Sequence, residues 1–227
     1  MKGILSGREV AKVLHKEVSK ELEGRGDTRA PGLVVILVGE DPASKRYTRN
    51  KAKLATKLGI KSETLQYPET ITEDELLDKI DELNNNSEVD GILVQLPLPS
   101  HINPNVIQQA ILPDKDVDGF HAMNLGMLMQ NEPGLRPCTP QGIMRLLEYY
   151  EIPLQGTEAV VMGRSNIVGK PMAQMLTHAD CSVTLLHSKS KNRERHLEEA
   201  ELIVVAIGQP ENVKIDELSN GQVVIDV

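Results

Sequence analysis

Tyr47 and Lys51 stand four residues apart in a segment that opens on Asp41-Pro42 and stops at Gly59. At that spacing a helix puts both side chains on one face, one turn apart. A phenol can stack on or orient a flat substrate, and a lysine partly withdrawn from water gives and takes protons. Ser44 falls on the same helix. The same residues also suit a solvated basic face, because Lys45, Arg46, Arg49 and Lys53 crowd the segment. Position favours chemistry: the segment follows the apolar run Gly32 to Val38, and ligands of open α/β sheets sit just past the carboxyl ends of strands. Gln95 interrupts a second apolar run, GILVQL at 91–96, near its end. A polar side chain there needs a partner if it is buried; Lys51 is one candidate and a loop amide is another.

A second stretch points to a phosphate. In VVMGRSNIVGKP at 160–171 a short strand breaks at Gly163, and Gly169 leads into a helix-compatible segment, Met172 to Thr177. Strand, glycine turn and helix N-terminus together offer backbone N–H groups and a positive dipole end. The fit to G-x-G-x-x-G is incomplete, since Ser165 holds the middle position, and an ordinary strand-to-helix turn has the same outline. After the next strand, Ser182 to Leu186, dinucleotide folds usually carry an Asp or Glu for the ribose hydroxyls. Here His187-Ser188-Lys189 follows, with Arg164 back in the turn. Donors and cations in that place suit a 2′-phosphate, which favours NADP over NAD. Solvated loop charge is the plainer account of Arg164 and Lys189.

Asp114, Asp116, Asp118 and Gly119 reproduce the first half of a calcium loop, but its twelfth position is Leu125 instead of a glutamate. The bidentate ligand is therefore missing and calcium is not expected. An acidic residue in such a turn can instead hold a ring that bears N–H donors. The histidines have no metal-ligand spacing, and no metal site is expected.

The elements that must position these residues alternate. Ser6 to Glu9 is a capping box ahead of apolar Val10, Leu14, Val18 and Leu22, and Gly24 and Gly26 end that helix. Gly32 to Val38 reads as a strand covered on both faces. A helix to about Leu58, a strand at Lys61 to Gln66, a second capping box at Thr72 to Glu75 and a strand at Gly91 to Leu96 follow. This order predicts a mostly parallel sheet. Ser100 to Pro140 is rich in Pro, Asn and Gly with little periodicity, and Pro140 to Tyr150 is helical again. Further strands are predicted near 158–162, 182–186, 202–206 and 222–227. The expected architecture is α/β: two α/β domains around a cleft, residues 1–142 with a parallel sheet and residues 143–227 with a Rossmann-like sheet.

Composition bounds the rest. The 227 residues, 40% apolar and 26% charged, are those of an ordinary soluble protein. A net charge of −8 argues against a general nucleic-acid binder. No apolar run reaches membrane-spanning length and no signal-peptide pattern opens the chain, so a cytoplasmic protein is expected. Cys138 and Cys181 are far apart and fit neither a redox pair nor a zinc site; free thiols are expected.

Taken together these blocks resemble one family, the bifunctional methylenetetrahydrofolate dehydrogenase/methenyltetrahydrofolate cyclohydrolases. The resemblance rests on VGEDPASKRYTRNKAK at 38–53, DGILVQLPLP at 90–99, PDKDVDGFHAMNLG at 113–126 and PCTPQGI at 137–143. It continues through VVMGRSNIVGKP, TLLHSKS at 184–190 and AIGQP at 206–210, in the family's order. It implies that Lys51 is the catalytic acid/base, that Tyr47 stacks on the folate, and that Gln95 hydrogen-bonds Lys51. Asp118 would hold the amino and N–H edge of the pterin, and Gly163, Arg164, Ser165 and Ser188 would bind NADP. The implied reactions are oxidation of 5,10-methylenetetrahydrofolate by hydride transfer to NADP and hydrolysis of the methenyl product to 10-formyltetrahydrofolate, without a metal. A homodimer is implied as well. In the family the run VVIDV continues with Gly-Ile and several tens of residues, so the C-terminal part of the NADP domain is expected to be missing here. The Y-x-x-x-K spacing of short-chain dehydrogenases does not apply, because in that family the pair follows the dinucleotide turn and here it precedes it. A non-folate dehydrogenase of the same architecture, a family member using NAD and a non-catalytic NADP-binding module are the rival readings.

Overall fold

A computed structural model of the chain describes residues 3–26, 28–209 and 211–227. Pro210, the last residue of the AIGQP block, lies outside the described residues. The chain forms two compact units, Ala11–Asn124 on the one hand and the stretch up to Val10 with Leu125–Val227 on the other. The second unit thus includes residues that a division at 142/143 assigns to the first half, for reasons visible in the packing. Leu5 rests on the second unit's core, and the Ser6 amide donates to the Tyr150 hydroxyl at 2.8 Å.

The first unit is a three-stranded parallel sheet in the order β2-β1-β3, with β1 at Gly32–Val38, β2 at Lys61–Tyr67 and β3 at Gly91–Val94. Its central strand GLVVILV is buried along almost its whole length, as a continuous apolar run requires. Val34, Ile36 and Val38 face Leu76, Ile80 and Leu83 of α3 (Glu73–Asn85) and Ile107 of α4 (Pro104–Ala110). Helix α2 (Pro42–Lys57) packs on β1 and β2. Edge strand β2 is mostly polar and half exposed. The predicted capping box forms: Glu75 N–H donates to Thr72 Oγ1 at 3.2 Å and Thr72 N–H to Glu75 Oε2 at 2.9 Å. Strand β3 is shorter than the predicted Gly91 to Leu96. The Gln95 amide still donates to the Ile36 carbonyl at 2.9 Å, but Pro97 and Pro99 have no N–H with which to extend the ladder.

The second unit is a four-stranded parallel sheet in the order β5-β4-β6-β7, from Glu158–Met162 (β4), Ser182–Leu186 (β5), Leu202–Val205 (β6) and Val223–Asp226 (β7). One face carries Ile143 and Leu147 of α6 (Cys138–Tyr149) and Met172 and Leu176 of α7 (Gly169–His178). The other carries Leu197 of α8 (Arg193–Glu199). Helices on both faces make this a doubly wound sheet, and the chain switches direction at the carboxyl end of β4, between β5 and β6.

The stretch from Ser100 to Pro140, which shows little periodicity, contains α4, a 3-10 turn at Pro113–Lys115 and α5 (Ala122–Met129). α1 spans Gly7–Glu23. Neither cysteine forms a disulfide.

Candidate functional site

In the first unit, the carboxyl ends of β1 and β3 bring three of the predicted residues together. The turn after β1 bends at Gly39, and Asp41 caps α2 by accepting from Ser44 N–H at 2.7 Å. That bond holds the Asp41 carboxyl below the usual carboxylate range. Pro42 supplies the first helical position, where its missing N–H is not needed. Ser44, Thr48 and Ala55 form the buried stripe of α2. Lys51 lies beside that stripe, half-buried, and its Nζ donates to Gln95 Oε1 at 3.3 Å. The other end of the Gln95 amide donates to the Leu96 carbonyl at 2.7 Å, so its oxygen is turned toward the lysine. Of the two partners open to Gln95 in the sequence, its oxygen takes Lys51, and its other contact is to a neighbouring backbone carbonyl. Tyr47, one turn before Lys51, stays 64% exposed, which leaves its ring free to cover a ligand.

Asp118 sits in a turn closed by the Gly119 amide on the Asp116 carbonyl at 3.0 Å. Asp116 itself bridges to Ile92 of β3. Burial pushes the Asp118 carboxyl above its ordinary range; the positive charge of Lys51 works against this and the negative charge of Asp116 with it. The charge of Lys51, the lysine that Gln95 holds, thus reaches Asp118.

The rest of the acidic run supports this turn. Asp116 is buried and accepts from His121 N–H at 2.7 Å and Asn124 Nδ2 at 2.9 Å. Lys115 donates to the carbonyls of Leu83, Asn84 and Asn86 at the carboxyl end of α3. Among the described residues no group of three or more His, Cys, Asp or Glu side chains is placed to hold a metal. Asn124 is a supporting residue that the motif reading did not single out.

In the second unit, the remaining four predicted residues line one cavity of about 560 Å³ at the switch point of the sheet. Gly163 has φ +114°, and a Cβ there would lie 2.2 Å from the Ala206 carbonyl oxygen. A Cβ on Gly169 would lie 2.1 Å from the Gly163 oxygen and 2.9 Å from the Arg164 nitrogen. Only glycines allow the turn to fold this tightly against β6 and the start of α7. Ser165 Oγ accepts from the amides of Val168 and Gly169 at 3.2 Å each, organising the helix start. Arg164 and Ser188 are exposed at the rim. This Gly-lined cradle at a helix N-terminus, with cations and no carboxylate in its lining, fits a dinucleotide carrying an extra phosphate.

Lys189 departs from the expectation. The Ser190 amide closes a turn on the His187 carbonyl at 2.8 Å, and Lys189 points to solvent outside the cavity lining. Arg193, which the sequence reading did not single out, lines it instead. Its only sequence signal is a cation a few residues past the end of β5.

Two family models cover most of the chain: the tetrahydrofolate dehydrogenase/cyclohydrolase catalytic domain over residues 5–118 and the corresponding NAD(P)-binding domain over residues 137–227. The bifunctional protein FolD of Ligilactobacillus salivarius is 51% identical over 227 residues, 99% of this chain and 79% of that protein. Among solved structures, the bifunctional FolD of Campylobacter jejuni superposes with a TM-score of 0.96 at 42% identity, covering 99% of this chain and 80% of the other. The Trypanosoma brucei FolD, solved with NADP and an inhibitor, gives 0.92 at 32% identity over 98% of this chain and 77% of that one.

Proposed function

The chain belongs to the tetrahydrofolate dehydrogenase/cyclohydrolase family, and we propose that Lys51, Tyr47, Gln95 and Asp118 bind and work its folate while Gly163, Arg164, Ser165 and Ser188 hold NADP. The enzyme oxidises 5,10-methylenetetrahydrofolate to the 5,10-methenyl compound with NADP, then hydrolyses that product to 10-formyltetrahydrofolate. When bound, NADP supplies the acceptor for the hydride.

The first step moves a hydrogen with its electron pair from the methylene carbon and leaves a delocalised cation. It needs no side-chain proton transfer, so the chain contributes orientation. Asp118 accepts from the amino and N–H edge of the pterin, and the exposed Tyr47 ring stacks on the folate. The second step adds water to the cationic carbon and breaks its bond to N5, with net release of one proton. Lys51 moves the protons: it takes one from the attacking water and returns one to the leaving nitrogen. Gln95 Oε1, accepting from Lys51 Nζ, fixes where the amine points. The observation that carries this reading is that 3.3 Å bond beside the half-buried Asp118 turn.

Replacing Lys51 by Gln or Met is expected to abolish hydrolysis of the methenyl compound while measurable dehydrogenase remains. Separate assays of the two steps on the folded variants check this; equal loss of both would refute the division of labour.

We further propose a homodimer in the cytoplasm, with no nucleic-acid partner. The net charge of −8 supports the last point, and among the described residues no helix is long and apolar enough to cross a membrane. Sedimentation equilibrium reads the assembly directly, and a monomer at micromolar concentration would refute the dimer.

A further inference from the structure

The cavity at the end of β4 contains a second guanidinium that the roles assigned above leave unused. Arg193 lines it together with Arg164, His187 and Ser188, and no aspartate or glutamate shares the lining. The side chain is 32% exposed and is held from behind. Its NH2 group donates to the Asn212 carbonyl at 2.6 Å and to Glu217 Oε2 at 3.3 Å. Glu217 is itself fixed, because Oε2 also accepts from the Lys214 amide at 2.7 Å. The Nε of Arg193 is buried and, among the described residues, has no hydrogen-bond partner.

The hydrogen bonds to Asn212 and Glu217 run through NH2, which anchors the guanidinium and leaves its NH1 end for the cavity that Arg193 lines. Two guanidiniums, a hydroxyl and an imidazole in a lining free of carboxylates describe a site for a dianion; the one carboxylate at hand, Glu217, pairs with Arg193 from outside that lining. Arginine suits it better than lysine, because the planar fork can face two phosphate oxygens at once.

We propose that Arg193 is a specificity-determining residue for the cofactor: it recognises the 2′-phosphate of NADP alongside Arg164 and Ser188, through the end of its guanidinium that Asn212 and Glu217 do not hold. Lys189, nearer to Ser188 in sequence, has no part in this. The inference rests on the NADP reading of the same cavity.

Calorimetric titration of the protein with 2′,5′-ADP and with 5′-AMP separates the two ideas. The unaltered protein is expected to bind 2′,5′-ADP more tightly. Arg193→Gln is expected to weaken 2′,5′-ADP by roughly tenfold or more, the scale of a lost charge-assisted hydrogen bond, and to leave 5′-AMP within about twofold. Arg193→Lys, which keeps the charge and loses the fork, should fall between. Equal weakening of both nucleotides would show that Arg193 acts only through Asn212 and Glu217, and no weakening would show that it does not touch the phosphate; either overturns the proposal. If the unaltered protein shows no preference for 2′,5′-ADP, the cofactor reading falls with it. Chemical modification by phenylglyoxal gives the same answer without a variant. 2′,5′-ADP should protect the Arg193 peptide and 5′-AMP should not, and equal protection would overturn the assignment.

Discussion

Asp118 shows how one residue can serve binding at the expense of stability. Its carboxyl is raised mainly by burial, so the folded protein holds that proton more tightly than the unfolded chain does. The contribution to stability is full below the unfolded carboxylate range and is lost as pH rises through the elevated folded value. Above the unfolded carboxylate range, ionising this group therefore costs the ligand-free protein stability. Asp118→Asn is expected to raise the melting temperature of the ligand-free protein at pH 7 but not at acid pH, and to raise KM for the folate with a smaller effect on kcat. Thermal melts at both pH values and initial rates check this; a lower melting temperature at pH 7 would contradict it. Asp90 has the opposite sign. Its bidentate contact with Arg29 and the Gly32 amide holds it down at about 2. That contribution is present above the ordinary carboxylate range and fades only as pH falls toward about 2. Being solvent-exposed, the pair is worth only about 0.2–1 kcal/mol. The pairing of Lys51 with Gln95 was legible in the sequence because Gln95 interrupts an apolar run near its end and Lys51 lies on the helix that follows the other apolar run. The role of Asp116 was not. Three alternating aspartates look alike, and the one that turns inward is selected by Asn124 and the His121 amide, which only the folded turn brings near.

At the scale of elements, the glycine turn is the least replaceable feature. A Cβ on Gly169 would meet the turn's own backbone at 2.1 Å, which cannot shift without dragging β4 or α7. Gly169→Ala is expected to abolish NADP binding and destabilise the protein by about 1–3 kcal/mol, read by calorimetry and denaturant melts; retained affinity would mean that the turn is looser than its packing indicates. Leu176, fully buried on α7, is a control away from the ligand: Leu176→Ala should destabilise by about 2–5 kcal/mol and leave the ratio of NADP to NAD affinity unchanged. The elements that the sequence revealed are those with long patterns. β1 is seven unbroken apolar residues, and α3 has both a capping box and an apolar stripe. Helices α4 and α8 are seven residues each and α5 is eight, about two turns, too few for a period of 3.6 to repeat convincingly. They form because Ile107, Leu197 and Leu128 find a core to enter, a tertiary cause that leaves little local trace.

For the molecule as a whole, the division of work follows its two parallel sheets. Each sheet has a central first strand, and each set of predicted residues lies at the carboxyl end of that strand or of the neighbour beside it. The α/β class and the mostly parallel sheet could be anticipated from alternation alone, whereas the grouping of residues 3–10 with the second sheet depends on contacts between residues more than a hundred positions apart, such as Ser6 with Tyr150. The chain spans 79% of the Ligilactobacillus salivarius relative and carries every residue assigned a role here. The most direct test of the central claim is a spectrophotometric time course with 5,10-methylenetetrahydrofolate, offering NADP and NAD in separate reactions. Reduction of the nucleotide with NADP preferred, and only transient methenyl absorbance, is the predicted result. Methenyl compound accumulating in step with reduced nucleotide would contradict the cyclohydrolase assignment, and no reduction by a protein that binds NADP would contradict the dehydrogenase.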